Sequence, residues 1–438
     1  MRMFLYLILL VFLSEILEGN LLAKDQGPLS GETLFNDVVY YSNLGHHRTA
    51  TPIDRKTALW LQNRLKQAGF EVQKQEWTTR QFYPQRTEIV IDNKQTLEAF
   101  PIWWPKPTPP QGLEGLMTPV IGDSAGKIFF FENKTGAGFS VTPVFSKMIH
   151  EANQKGALAV IVVTYFNQPR TTIASKELIG LNALQTTQEE WPIPVVSARA
   201  KDRAVLDSAI QNQTVVKVIS TGNYKNQARA FNVIGLLKKS SRDEVRVVST
   251  PYSGWFTCAG ERGPGIAIFL GLAEWAARTH SETNWIFVAT SGHEIDGLGI
   301  RNFLVSPIAP DPKKTLSWVH LGAWQAMYNF IHTNGVLVSD GLMDTRQMQY
   351  ENIPSRIKLE EPVKKNFTGL NVSFLPGIRL GELTGIIQSG YNQNLFGIAW
   401  GHELHHSTQD LPPVTGPGLL EPVAQAYRNT LEMLIHKP

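Results

Sequence analysis

Apolar positions change their period along this chain, and each change marks a different element. In "TPIDRKTALWLQNRLKQAGF", Leu61, Leu65 and Ala68 recur at helical spacing and share one face. Thr51 can cap that helix, Pro52 suits its first position, and Asp54 lies in its first turn. Gly69 ends it, and a strand is expected over Phe70 to Trp77. A passage too rich in proline for regular structure follows, "FPIWWPKPTPPQGLEGLMTP". Beyond it come "KIFFFE" as a strand, "PVFSKMIHEANQKGA" as a helix, "LAVIVVTYF" as a buried strand, and "PIPVVSARAKDRAVLDSAIQ" as strand then helix.

From about Phe231 the pattern becomes strand and helix in alternation. "NVIGLLK", "EVRVVSTPY", "NWIFVATSGHE" and "LSWVHLGAW" are almost continuously apolar, as strands buried on both faces must be. "GPGIAIFLGLAEWAAR" is a helix with Ile266, Leu270, Ala273 and Ala277 on one side, and "LLEPVAQAYRNTLEMLI" closes the chain as another. The expected fold is α/β, a mostly parallel sheet with helices on both faces, carrying an inserted α/β lobe. Residues 24–84 and 229–438 would make the main domain, with 85–228 as the insert.

The chain's 438 residues, 42% hydrophobic and 18% charged, are ample for more than one core. Net charge is +3 with both signs interspersed, which gives no footprint for nucleic acid. Arg2 precedes an apolar run from Met3 to Leu13, too short to span a bilayer but right for the core of a signal peptide over residues 1–23. Glu15 and Glu18 leave an uncleaved anchor open; the expectation is an exported protein. Cys258 is the single cysteine, so no internal disulfide can form, and a small buried hydrophobe is the expected role. Asn133, Asn212, Asn366 and Asn371 head glycosylation sequons, a pattern that also arises by chance.

Candidate chemistry collects where a parallel sheet would bind ligands, beyond the carboxyl ends of its strands. Ser249 to Ser253, His293, Glu294 and His320 fall there, and Glu261 sits in the loop entering the Gly265 helix. The stretch "GIAWGHELHHSTQD" brings back His402, His405 and His406. It matches H-E-x-x-H, but Gly397, Gly401 and Pro412-Pro413 argue against the helix that this zinc pattern needs.

The order of these motifs resembles the family-28 metallopeptidases, zinc exopeptidases on whose architecture the transferrin receptor is also built. The likeness runs from the Thr51 helix to the last helix, and the inserted lobe resembles a protease-associated domain. The resemblance implies two zincs held by a strand-end His, a bridging Asp, the second Glu of an E-E pair, a later Asp and a final His, with the first Glu as general base. Here those places fall on Pro251, Glu261, His293-Glu294, His320 and His406. The resemblance thus implies Glu261, Glu294, His320 and His406 as metal ligands and His293 as the catalytic base.

Pro251 has no ligating side chain, and two zincs would carry four positive charges against two carboxylates, so a single zinc is expected. His293 could instead complete a closed, structural ligand set, and Arg262 could pair with Glu261 or Glu294 and take the metal's place. Trp103, Trp104 and Trp255 are expected as core contacts. Two functions stay open. One is an exported hydrolase of peptides or small amides; the other is an inactive relative that binds a ligand or partner.

Overall fold

The computed structural model describes residues 27–135, 143–166, 188–279, 281–333, 336–351, 359–378, 380–399, 401–402 and 404–436. The leader expected over residues 1–23, and Trp400 and Glu403 of the histidine-rich stretch, lie outside the described residues. Among the described residues no helix is long and apolar enough to cross a membrane.

The helix read from Thr51 spans Pro52–Gln67, and the Thr51 hydroxyl accepts the Asp54 N–H. Leu61 and Leu65 are buried on it, and Gly69 follows with φ +95°. Helices Gly31–Asn43, Gly263–Arg278 and Pro417–His436 join it on one face of the main sheet. Helices Leu298–Leu304 and Glu382–Gln388 cover the other face. Strand periodicity assigns the side chains to the two faces. Val248, Phe287 and Val319 enter the first core, while Val247, Val288 and Trp318 enter the second.

At the centre of the sheet, Val245–Pro251 lies parallel to both Asn284–Thr290 and Thr315–His320. Thr315–His320 is in turn parallel to Leu395–Ile398. All four strands therefore end on one side. The loops leaving them begin at Tyr252, Ser291, Leu321 and Ala399, and these loops carry the chemistry. The sheet is mostly parallel in this centre, with antiparallel departures at its flanks, where Val216–Leu237 pairs with Asn284–Thr290 and Arg346–Tyr350 with Leu395–Ile398.

The strand expected to stop at Trp77 runs on to Ile91 and pairs antiparallel with Val216–Leu237. Its second half is a ribbon with a polar run at residues 84–88, and its pairing shifts at Thr79/Gln81 and at Pro84/Arg86, so it does not read as an apolar run. Positions 84/85 and 228/229 both fall inside this ribbon. From it the sheet continues into a second set of strands, with Ile128–Thr135, Ala159–Phe166 and Val195–Ala198 parallel and Gln95–Pro101 antiparallel to the last. Helices Pro143–Gln154 and Arg203–Gln211 supply Phe145 and Leu206 to the cores on its two faces.

A buried ion ring at the candidate active site

Three loops are pinned together before any functional group is placed. Asp410 accepts the N–H groups of Gly260 and Glu261 at 2.6 and 3.0 Å, which ties the loop after Pro251 to the segment after His406. The Ser253 hydroxyl accepts the N–H groups of Gly292 and His293 at 2.8 and 3.3 Å, which ties the same loop to the one after Thr290. Gly292 takes φ +83°, where a Cβ would meet the Trp77 ring at 2.6 Å. Glycine is required there to turn the chain so that His293 and Glu294 face the sheet edge.

These pins bring Glu261, Arg262, Glu294 and His406 into one closed ring of alternating charge. Arg262 Nη2 is 2.8 Å from Glu261 Oε1 and 2.8 Å from Glu294 Oε1. His406 Nε2 is 3.4 Å from Glu261 Oε1 and 3.4 Å from Glu294 Oε2. All four side chains are buried, and Arg262 Nε also donates to the Ser253 carbonyl. Burial alone would favour neutral carboxyl groups. Arg262 and the histidines outweigh it at Glu261, and His406 with Arg262 at Glu294, so both stay below the ordinary carboxylate range. Burial pulls the His406 imidazole down, but the two carboxylates lift it to about 9. The ring is two anions and two cations, and it balances by itself.

The remaining candidates form a second cluster. His293 Nδ1 lies 3.0 Å from Glu382 Oε1, and His320 Nε2 lies 3.9 Å from Glu382 Oε2. The Trp318 indole N–H donates to Ser249 Oγ at 2.8 Å, so the Ser249 hydroxyl is left to donate to His320 Nδ1 at 2.9 Å. Burial brings His320 down to about 4, with Glu382 opposing. Of the four residues expected around one metal, the structure joins Glu261, Glu294 and His406, while His320 turns to Glu382. Glu382 carried no signal in the sequence; it opens a short helix in "GELTG", far along the chain from His293.

The H-E-x-x-H stretch is not a helix in its described part. Residues 404–406 form a turn, and His406 takes φ +56°. His402 stacks on Trp324, with Nε2 at 3.1 Å from the Tyr328 carbonyl, and His405 Nδ1 accepts the Trp324 indole N–H. Trp103, Trp104 and Trp255 are core residues, although Trp255 also meets the His406 ring edge-on at 6.5 Å. Cys258 is buried, its thiol 3.4 Å from Glu261 Oε2.

The donor chemistry for zinc is present in part. Glu261, His405 and His406 can each place one ligand atom within 4.8 Å of the others. A carboxylate and two imidazoles are groups zinc accepts. Two features oppose it, although Glu261 Oε1, Glu294 Oε2 and His406 Nε2 are buried without a hydrogen-bond partner. Trp324 holds one His405 nitrogen, and the Arg262 guanidinium occupies the space between the two carboxylates. A divalent ion there would meet a permanent cation. As arranged, Arg262 competes with a zinc ion for these groups.

No family model matches the chain. In sequence it is 26% identical to the probable lipoprotein aminopeptidase LpqL of Mycobacterium tuberculosis over 275 residues, 60% of this chain. The match spans about half of that relative, 52% of its length. In structure it is similar to the zinc aminopeptidase BSAP of Bacillus subtilis, with a TM-score of 0.69, 14% identity and coverage of 93% of this chain and 96% of that one. A peptidase M28 precursor of Shewanella amazonensis gives a TM-score of 0.65 at 15% identity, covering 93% and 96%. The aminopeptidase of Aneurinibacillus sp. strain AM-1 gives 0.58 at 14% identity, covering 93% and 94%. The resemblance read from the sequence therefore holds for the architecture: this chain has the fold of the family-28 zinc aminopeptidases.

Proposed function

We propose that this protein is an exported family-28 metallopeptidase homologue in which an ion ring replaces the metal centre, and that it binds a peptide or small amide without hydrolysing it. The carrying observation is the shared nitrogen of Arg262, 2.8 Å from each carboxylate. Pro251, which offers no ligand where the family has a histidine, supports the same reading. The apolar leader and the lipoprotein relative support export, and the α/β lobe would be a protease-associated-like module. The test is metal content by mass spectrometry on protein purified without chelators or a histidine tag, together with turnover of amino-acid anilides. Zinc well below one ion per chain and no turnover are expected. About one zinc per chain, lost in both Glu261→Ala and His406→Ala, would overturn the proposal.

A second reading has its own observation. The His293–Glu382 pair is a half-buried imidazole oriented by a buried carboxylate, the arrangement of a general base. With Arg262 displaced, Glu261, Glu294 and His406 would hold a single zinc that polarises an amide carbonyl, and His293 would take a proton through its Nε2. Zinc-dependent turnover that falls in His293→Gln is the outcome that favours this reading.

A further inference from the structure

We propose that Arg48 is a receptor for a ligand carboxylate, beside the ion ring and outside it. Arg48 lies in the link "LGHHRTAT" between helices Gly31–Asn43 and Pro52–Gln67. That link is clamped in both directions to the loop that leads to Glu261 and Arg262. The His47 N–H donates to the Phe256 carbonyl at 2.9 Å, and the Gly254 N–H donates to the His47 carbonyl at 3.0 Å. Gln81 Nε2 adds a bond to the Thr49 carbonyl at 2.8 Å. The position of the Arg48 backbone is therefore set before any ligand arrives.

The side chain is held by stacking alone. Its guanidinium carbon lies 4.3 Å from the centroid of the Trp103 ring, and Trp103 is fixed by its own N–H to Gln81 Oε1 at 2.9 Å. Trp103 packs on Trp255 at 5.1 Å, and Trp255 meets His406 of the ring at 6.5 Å. Among the described residues the Arg48 guanidinium makes no hydrogen bond and no ion pair, and its Nε is buried without a partner. Two other buried arginines also leave Nε without a partner, but their terminal nitrogens are bonded. Arg246 donates to Ser317 and the Leu434 carbonyl, and Arg346 to the carbonyls of Gln325 and Leu370. Burial lowers Arg48 to about 9, and only the Tyr83 phenol opposes it; no carboxylate does.

A half-buried cation without an anion is an unfavourable arrangement that a ligand can relieve. A guanidinium presents a planar fork of N–H groups that matches the two oxygens of a carboxylate. Beside it the exposed His46 ring stands 5.9 Å from Phe100 and 5.6 Å from Phe256. The fitting ligand is a carboxylate next to an apolar or aromatic group, such as the C-terminus of a peptide or an N-acyl amino acid. The site stands whether or not the ring is metal-free.

The test is calorimetric titration of the full chain with N-acetyl-phenylalanine and with its amide, a pair that differs in the carboxylate. Wild-type protein is expected to bind the acid at least tenfold more tightly than the amide. Arg48→Gln erases that preference, Arg48→Lys keeps part of it, and Arg278→Gln, at an exposed arginine of helix Gly263–Arg278, leaves it intact. Circular dichroism checks that each variant folds; should Arg48→Gln fail, the partial loss in Arg48→Lys carries the comparison. Equal binding of acid and amide, no binding of either, or a preference that survives in Arg48→Gln overturns the proposal. A zinc-loaded wild type would undo the metal-free reading of the ring and leave this result standing.

Discussion

Arg262 Nη2 stands 2.8 Å from Glu294 Oε1 while holding Glu261 Oε1 at the same distance, so one nitrogen serves two buried carboxylates. A strongly paired arginine of this kind is costly to remove, because what remains is two desolvated anions facing His406 alone. Arg262→Met should lower stability by about 3–5 kcal/mol in urea unfolding. Excess zinc should recover part of the loss in the variant and do nothing for the wild type. An unchanged midpoint, or the same response to zinc in both proteins, would sink the idea that arginine stands in for the metal.

Two buried glutamates should differ in what their removal costs. Glu261 faces Arg262, which cannot shed its proton, and His406, which is held protonated. Glu382 faces the imidazoles of His293 and His320, the latter brought down to about 4 by burial. Glu261→Ala should cost about 3–5 kcal/mol, and Glu382→Gln only about 1 kcal/mol. Equal losses in denaturant unfolding would mean that Glu382 is tied to its surroundings as tightly as Glu261.

The ring also predicts an alkaline weakness. His406 is raised from 6.5 to about 9, its carboxylate neighbours outweighing burial. A group whose folded value is raised contributes fully below its unfolded value and loses that contribution as pH climbs through the folded one. Wild type should therefore exceed His406→Gln most at pH 6, with roughly 3 kcal/mol of the difference gone by pH 9. Burial also lifts Asp54 and Asp410 to about 7, but both remain in the variant and cancel in the comparison. A difference that stays flat from pH 6 to 9 would show that His406 is neutral.

The parts legible in the sequence are those governed by local periodicity. The Thr51 cap, the Gly263–Arg278 helix and the strands ending at Pro251, Thr290 and His320 follow from spacing and capping within a dozen residues. The ribbon from Trp77 to Ile91 is not legible because buried polar residues such as Thr79 and Gln81, and an exposed run at residues 84–86, break its apolar alternation. Arg262 was legible as a rival to the metal through its place beside Glu261. Its choice between a bond to one glutamate and a bridge across two depends on where the loop after Thr290 lands. Glu382 was not legible at all, since its meaning comes from a contact with His293 that only the folded sheet creates.

The loop that carries His293 and Glu294 depends on a glycine that no side chain can replace. A Cβ at Gly299 would meet the Ser291 carbonyl oxygen at 1.8 Å and Asn232 Oδ1 at 2.8 Å. Both belong to a tight lattice, in which Asn232 donates to the Gly299 carbonyl at 2.8 Å and accepts the Ser291 N–H at 3.3 Å. Backbone cannot swing aside as a flexible side chain would, so Gly299→Ala should cost about 3 kcal/mol. Gly385 is the control, since it lies within a helix and a Cβ there meets nothing within 4 Å. Gly385→Ala should stabilise by up to about 1 kcal/mol through helix propensity alone. Thermal melts of the two variants beside wild type decide the matter. If Gly299→Ala melts with the wild type, the loop has slack, and the ring distances around Glu294 are not enforced from this side.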